Sequence, residues 1–331
     1  MKITTQNQTH FTPPKHTHNA FLRARPKDER NFVNNSFANG HLLEAKTQTL
    51  IEALPYIQKY SGKTIVIKYG RNAKLDEARE ESLLRDVALL KNVGMKIVII
   101  HGGGPDITKA LERAGLKSEF DDASGLRITP TEAIPVIRDV YRKLNGRIVS
   151  LLKKNKVRAV EFTGRDQKLV QAKPLPNLGF VGEVVKIYPR VLKCVINEGF
   201  IPVISPVGIG AQDHSTYNIN ADDVAAAIAS ALGAEKLTIL TNVPGVRGED
   251  GNYISTLDSD KALQLIDAKI ITGGMIPKVK SCISAVTNGC KKAHLIDETA
   301  EHALLLEFFT DKGVGTQFIE SIAFGQKSKE K

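Results

Sequence analysis

Along this chain, short and nearly unbroken apolar runs alternate with segments whose apolar residues return at helical spacing. TIVIKYG, from Thr64, and KIVIIHGGG, from Lys96, read as buried strands. Glu77 to Gly94 between them reads as an amphipathic helix, and DITKALERAG as a helix that starts directly after the glycines. KLVQAKPL and GFVGEVVKI suggest two hairpin-like stretches, YPRVLKCVINEG a helix and IPVISPVGI a single strand. DDVAAAIASALGA and KLTILTNVPGV add a further helix and strand. Strands that are apolar along their whole length, separated by helices, predict a parallel sheet covered on both faces. The expected fold class is α/β, a three-layer αβα sandwich around a central, mainly parallel sheet.

Upstream, ordered structure is expected from about His41. In HLLEAKTQTLIEALPYIQKYSG, Leu43, Leu50, Leu54 and Ile57 share one helical face, and Pro55 is predicted to bend or restart the helix. That stripe can pack on its own domain or on a neighbouring subunit; the pattern alone favours neither. The expected layout is a disordered tail over 1–40, a helix over 41–60, one lobe over 61–212, a second over 213–320 and a basic tail over 321–331.

Composition narrows the class. With 331 residues, 42% hydrophobic and 25% charged, the chain has ample material for a core. No apolar run approaches the roughly 20 residues that span a bilayer, so no membrane partner is expected. Cys194, Cys282 and Cys290 have neither metal-site spacing nor a disulfide framework, which suits a reducing compartment. Cys282 and Cys290 read as small apolar fillers of a helix.

The net charge of +10 invites a nucleic-acid reading. Yet residues 1–45 hold six Lys and Arg against Asp28, Glu29 and Glu44, and the last eleven hold three Lys against Glu330, so the ends supply half of it. The body lacks the basic-aromatic stripe of single-strand binders, and a positive body suits acidic small substrates equally well. No nucleic-acid partner is expected. The first 27 residues lack acids, which resembles a transit peptide, but Ser36 is the only serine among the first 45. A cytoplasmic location is expected, with the plastid stroma as the alternative.

Four stretches carry candidate chemistry. Gly102, Gly103 and Gly104, between a strand and a helix, allow bare backbone N–H groups to approach an anion, and the helix N-terminus adds about half a positive charge. The plainer reading is a tight turn. The pattern is neither the dinucleotide fingerprint nor the P-loop. YNINADD places Asn218, Asn220 and Asp222 before an Ala-rich helix, more polar groups than an N-cap requires. TGGMIPKVK offers Gly273 and Gly274, then Lys278 on a short arm beyond a flexible loop, although a lone lysine there reads as surface. Arg127, in SGLRITP, is a planar fork suited to a carboxylate. Together these groups suggest phosphoryl transfer by positioning: two lysines on the moving group, glycine amides on its oxygens, an aspartate holding the lysines.

KYG, HGGGPDI, GLRIT, LGFVGEV, PVISPVG, NINAD, AEKLTILT, GGMIPKV and HALLLEFFTDKGVGT occur here in that order. On these motifs, over about residues 45–318, the chain resembles the acetylglutamate kinase branch of the amino acid kinase family. The resemblance implies ATP-dependent phosphorylation of the side-chain carboxylate of N-acetyl-L-glutamate, in arginine biosynthesis. It implies acetylglutamate under the N-terminal lobe, which also dimerises, and ATP on the C-terminal lobe, with Mg2+ held mainly by the nucleotide phosphates and no metal site in the chain. Catalytic roles are implied for Lys68, Lys278 and Asp222, backbone donors at Gly70, Gly102, Gly103 and Gly104, and acetylglutamate contacts at Arg127 and Asn218. Asn242, Gly245, Gly273 and Gly274 fall in the implied ATP region. The N-terminal helix resembles that of arginine-sensitive members, which assemble as dimers interlaced into a hexameric ring. By that analogy Glu307 and Gly315 contact an arginine effector, whereas from pattern alone Glu307 reads equally as a solvated helix residue.

The chain also departs from the family. Arg71 replaces the second glycine of Lys-Tyr-Gly-Gly, and Asn242 stands where an aspartate usually helps hold the lysines. FTGRDQ and IDETAEH replace loops usually closer to Ser-Gly-Lys-Asp-Gly and Asp-Gly-Arg. Arg71 either supplements the lysines or obstructs the phosphates. A working kinase is the expectation, and a catalytically impaired regulatory paralogue is the alternative.

Overall fold

The computed structural model describes residues 29–70, 77–311 and 313–321. The chain divides after Glu52 into two compact units, the second of which carries every strand. The first helix, α1, covers Glu29–Tyr60. It therefore begins well upstream of the expected 41–60 helix, and residues 29–40 are helical rather than tail. It runs through Pro55 without restarting, contrary to one of the two expectations for that residue. Residues 1–28 and 322–331, expected as tails, lie outside the described residues.

The remaining helices are α2 (Glu77–Asn92), α3 (Gly104–Arg113), α4 (Ala133–Lys154), α5 (Arg190–Asn197), α6 (Ala221–Leu232), α7 (Ser259–Asp267), α8 (Met275–Thr287) and α9 (Ala303–Phe309). The strands are β1 (Thr64–Tyr69), β2 (Lys96–His101), β3 (Ala159–Thr163), β4 (Val170–Pro174), β5 (Val181–Ile187) and β6 (Ile201–Ser205). They continue with β7 (Val207–Gly210), β8 (Thr216–Ile219), β9 (Lys236–Thr241), β10 (Thr256–Asp258), β11 (Ala293–Asp297) and β12 (Thr316–Ile319).

Eight strands form the central sheet in the order β10-β12-β11-β9-β1-β2-β6-β3. Every neighbouring pair is parallel except β11 with β12. The expected mainly parallel sheet is present. Its strands alternate side chains between two separate cores. Val66, Val98, Ile100 and Ile239 face the core shared with α5, α6, α7 and α8. Ile65, Ile67, Ile97 and Ile99 face the core shared with α2, α4 and α9. Lys68 has the parity of Val66 and Tyr69 that of Ile67, so consecutive residues project to opposite layers.

One feature departs from the sequence reading. β4, β5, β8 and β7 close into a small barrel beside the sheet. IPVISPVGI is therefore not a single strand: it ends in the sheet at Ser205 and resumes in the barrel at Val207, with Pro206 between. Proline has no N–H to continue a ladder, so the switch falls there.

Candidate active site

The side chains expected to be catalytic, Lys68, Asp222 and Lys278, gather where β1, α6 and α8 meet. Lys68 extends from β1 toward α6, buried to 7% exposure. α6 is capped by Asn220, whose side chain accepts the Asp222 N–H at 2.8 Å. With the cap filled by its neighbour, the Asp222 carboxylate turns inward. Lys68 Nζ lies 2.9 Å from its Oδ1, and Lys278 Nζ 2.9 Å from its Oδ2. One carboxylate thus bridges two lysines that arrive from different elements. Burial pushes the Asp222 pKa up, but the charges of Lys68 and Lys278 outweigh it and hold it at about 2. Lys278 stands near the start of α8, four residues after the Gly273–Gly274 turn that precedes the helix. Asp223 faces elsewhere, accepting from Ser281 Oγ at 2.7 Å, and burial raises its pKa.

The glycine turns close the site. A Cβ on Gly70 would come within 3.0 Å of Lys68 Nζ, and one on Gly102 would lie 4.0 Å from the Gly70 Cα. The two turns therefore abut. The Gly102 N–H is donated to Tyr69 O at 2.9 Å, so it does not serve as a free donor as expected. Gly103 caps α3 and Gly104 opens it, followed by Pro105. Their amides belong to the first turn, which has no intrahelical acceptor. A Cβ on Gly103 would press Tyr141 and Leu144 at 3.0 Å, whereas the space over Gly104 is open.

Arg127 and Asn218 are joined through Thr129. The Arg127 guanidinium donates to Gly104 O at 3.0 Å, to Thr108 Oγ1 at 2.9 Å and to Ser118 Oγ, and lies over the Phe120 ring. Its charge thus stands beside the α3 glycine turn. Asn218, on β8, donates to Thr129 Oγ1 at 3.3 Å and accepts from Tyr141 OH at 3.4 Å. Tyr141 and the whole of α4 were missed from sequence. Ile137, Tyr141, Leu144, Ile148 and Leu152 recur at helical spacing and carried the signal.

Asn242 follows β9 and is exposed, while Gly245 packs against Thr316. Gly273 adopts φ +56, and nothing lies within 4 Å of an added Cβ there or at Gly274, so the loop before Lys278 opens onto free space. Arg71 lies outside the described residues.

A second cluster surrounds Glu307. It is 5% exposed, which removes the solvated reading. Lys236 Nζ lies 2.7 Å and His294 Nδ1 2.6 Å from its Oε1, and Val314 N–H donates to Oε2 at 2.9 Å. Burial raises the Glu307 pKa, but His294 and Lys236 outweigh it and hold it at about 2. The cluster borders a cavity of about 420 Å³ that also touches Tyr56, Phe308 and Gly315. Gly315 has φ +91, and a Cβ there would lie 1.9 Å from Leu295 O.

Residues 63–297 match the family model described as the amino acid kinase family. An acetylglutamate kinase of Desulforamulus reducens is 46% identical over 282 residues, covering 83% of this chain and 97% of that protein. This chain belongs to the amino acid kinase family. Another member, the acetylglutamate kinase of Caldanaerobacter subterraneus subsp. tengcongensis, is 48% identical over 82% of this chain and 92% of its own length. The family fold recurs in carbamate kinase from Giardia lamblia, at TM-score 0.61 and 18% identity over 79% of this chain and all of that one. It recurs also in N-acetylglutamate synthase from Neisseria gonorrhoeae, at TM-score 0.74 and 24% identity over 83% of this chain and 64% of that one.

Proposed function

We propose that this chain uses ATP to phosphorylate the side-chain carboxylate of N-acetyl-L-glutamate, forming N-acetyl-L-glutamyl 5-phosphate, the second step of arginine biosynthesis. Relatives at 46% and 48% identity carrying the name acetylglutamate kinase support the activity. The observation that carries the mechanism is the Asp222 carboxylate bound by Lys68 and Lys278 at 2.9 Å each.

Phosphoryl transfer to a carboxylate brings negative groups together and spreads charge over the moving unit, so catalysis is mainly positioning and neutralisation. Lys68 and Lys278 approach that unit from two sides, and Asp222 keeps both ammonium groups oriented before substrate arrives. The amides of Gly70, Gly103 and Gly104 supply donors that need no reorganisation. Arg127, beside the glycine turn, pairs with an acetylglutamate carboxylate, and Asn218 contacts the same substrate. The open loop at Gly273 and Gly274, with Asn242 and Gly245, receives the nucleotide. Both Asp222 oxygens are already engaged by lysines, so Mg2+ would be held mainly by the nucleotide phosphates and would offset their charge. The lobes are assigned accordingly, 61–212 to acetylglutamate and dimerisation and 213–320 to ATP. The surviving lysine–carboxylate bridge favours a working enzyme over the impaired paralogue that Arg71 and Asn242 suggested.

The cavity beside Glu307 and Gly315 is assigned to arginine as effector, whose guanidinium competes with Lys236 and His294 for the Glu307 carboxylate. Leu43, Leu50 and Ile51 of α1 are 62%, 71% and 58% exposed. A stripe of that kind is suited to burial against another copy, in a homo-oligomer built from dimers, up to a hexamer. Among the described residues no helix is long and apolar enough to cross a membrane; the cytoplasm is the proposed compartment.

The test is ATP consumption with and without acetylglutamate, the acyl phosphate being trapped by hydroxylamine as the hydroxamate. Hydroxamate that forms only with both substrates is the expected result. Normal ATP binding without hydroxamate overturns the proposal. Repeating the assay with arginine reports the effector.

A further inference from the structure

We infer that Glu80, clamped by Arg147, is a positioning residue for phosphoryl transfer, acting through Tyr69 on the adjoining Lys68 and Gly70. The inference rests on the role proposed for Lys68.

The sheet leaves the end of β1 supported on one side only. Pairing of β1 with β9 stops at Lys68 opposite Ile239, while pairing with β2 continues to Tyr69 opposite His101. Beyond Lys68, the chain that carries the reactive turn has no ladder on its β9 side. Tyr69 supplies the missing anchor in two ways. Its carbonyl accepts the Gly102 N–H at 2.9 Å, joining the two glycine turns. Its hydroxyl, projecting to the layer opposite Lys68, donates to Glu80 Oε1 at 3.1 Å.

Glu80 is itself fixed. Arg147 Nε donates to Glu80 Oε2 at 2.7 Å, and Arg147 Nη1 reaches Glu77 Oε1 at 3.2 Å. The chain leaves the site at Gly70 and re-enters the described structure at Glu77. Arg147, on α4, thus secures both points, one through Glu80 and Tyr69 and the other directly. Glu80 is only 2% exposed and lies on a helix face made otherwise of Leu83, Leu84, Val87 and Leu90. A leucine would pack that face without the cost of desolvating a carboxylate, and buried ion pairs add little stability over apolar replacements. What the carboxylate provides is direction. It holds Tyr69 in one rotamer and so restricts the neighbouring backbone, from which the Lys68 ammonium and the Gly70 amide extend. Displacing a reacting group by about 1 Å can cost on the order of a hundredfold in rate.

The experiment compares Tyr69→Phe, Glu80→Ala, Glu80→Gln and Lys68→Met by hydroxamate formation, with melting temperatures and separate kcat and KM values. Tyr69→Phe and Glu80→Ala are expected to lower kcat about tenfold, with KM for ATP and acetylglutamate held within about twofold. Glu80→Gln keeps an acceptor for the tyrosine and should recover most of the kcat lost in Glu80→Ala. If Glu80→Ala does not fold, Tyr69→Phe decides alone, since it removes one oxygen and no packing volume. Unchanged kcat in Tyr69→Phe, with or without a lower melting temperature, overturns the positioning role. Lys68→Met separates the two claims: if it stays active, the role of Lys68 has failed, and if it is inactive while Tyr69→Phe is unimpaired, only the positioning role has.

Discussion

Lys278 donates to Asp222 at 2.9 Å although 56 residues separate them. The opposite oxygen of the same carboxylate is held by Lys68 at the same distance. Asp222→Asn would leave two ammonium groups facing each other with no countercharge. Removing one partner of a buried pair costs roughly 3–5 kcal/mol. We expect hydroxamate formation to fall at least about a hundredfold, together with a lower melting temperature. Asp223→Asn, one residue on but bonded to Ser281 instead, should leave turnover within about threefold. Equal losses in the two variants would contradict the assignment.

Asn218→Ala tests the substrate side. Its carboxamide links Thr129 to Tyr141 and is assigned to acetylglutamate. KM for acetylglutamate should rise about tenfold or more while KM for ATP stays within about twofold, the cost of one lost hydrogen bond at a polar site. Steady-state kinetics with each substrate varied in turn checks the split.

Gly315→Ala separates backbone strain from steric collision. Gly62 has φ +74 with nothing within 4 Å of an added Cβ, whereas Gly315 combines φ +91 with a Cβ 1.9 Å from Leu295 O. Gly62→Ala should cost about 1 kcal/mol, and Gly315→Ala about 3 kcal/mol or more, because β11 must move aside. Urea denaturation of both variants measures the difference.

Acid stability follows from two buried carboxylates. Asp222 and Glu307 both fall to about 2, from ordinary values of 3.8 and 4.5. A depressed folded-state pKa means the unfolded chain binds protons first, so the stabilisation is complete above the ordinary values and lost as pH falls toward about 2. Glu307→Gln should be less stable at neutral pH, and its stability should decline less steeply than the parent's between about pH 4.5 and 2. Urea midpoints across that range give the two slopes.

The sheet was legible because its strands are apolar on both faces: TIVIKYG and KIVIIHGGG can serve only where helices cover both sides. The glycine turns, the polar string before α6 and both lysines could also be singled out, each having a residue type its local element does not need. The bridge itself could not be read, since nothing local says that Lys278 points at the carboxylate Lys68 already holds. The barrel was hidden because PVISPVG is apolar throughout, and only Pro206 marks the change of sheet. α4 was overlooked although its periodicity is clear, and Tyr141 and Arg147 were lost with it. Glu307 was ambiguous because the groups that pair with it, Lys236 and His294, come from two strands and not from α9 itself.

β8 passes directly into the cap of α6, so five residues, Asn218 to Asp222, run from the barrel to the lysine bridge without a loop between them. The side chain assigned to the acceptor, Asn218, and the carboxylate proposed to orient the two lysines, Asp222, therefore share one short thread. Remodelling the barrel to admit a longer or shorter acyl acceptor would tug the aspartate with it. On the proposed roles, selectivity and turnover are tied by covalent geometry, and retuning one without the other would first require slack at Ile219 and Asn220.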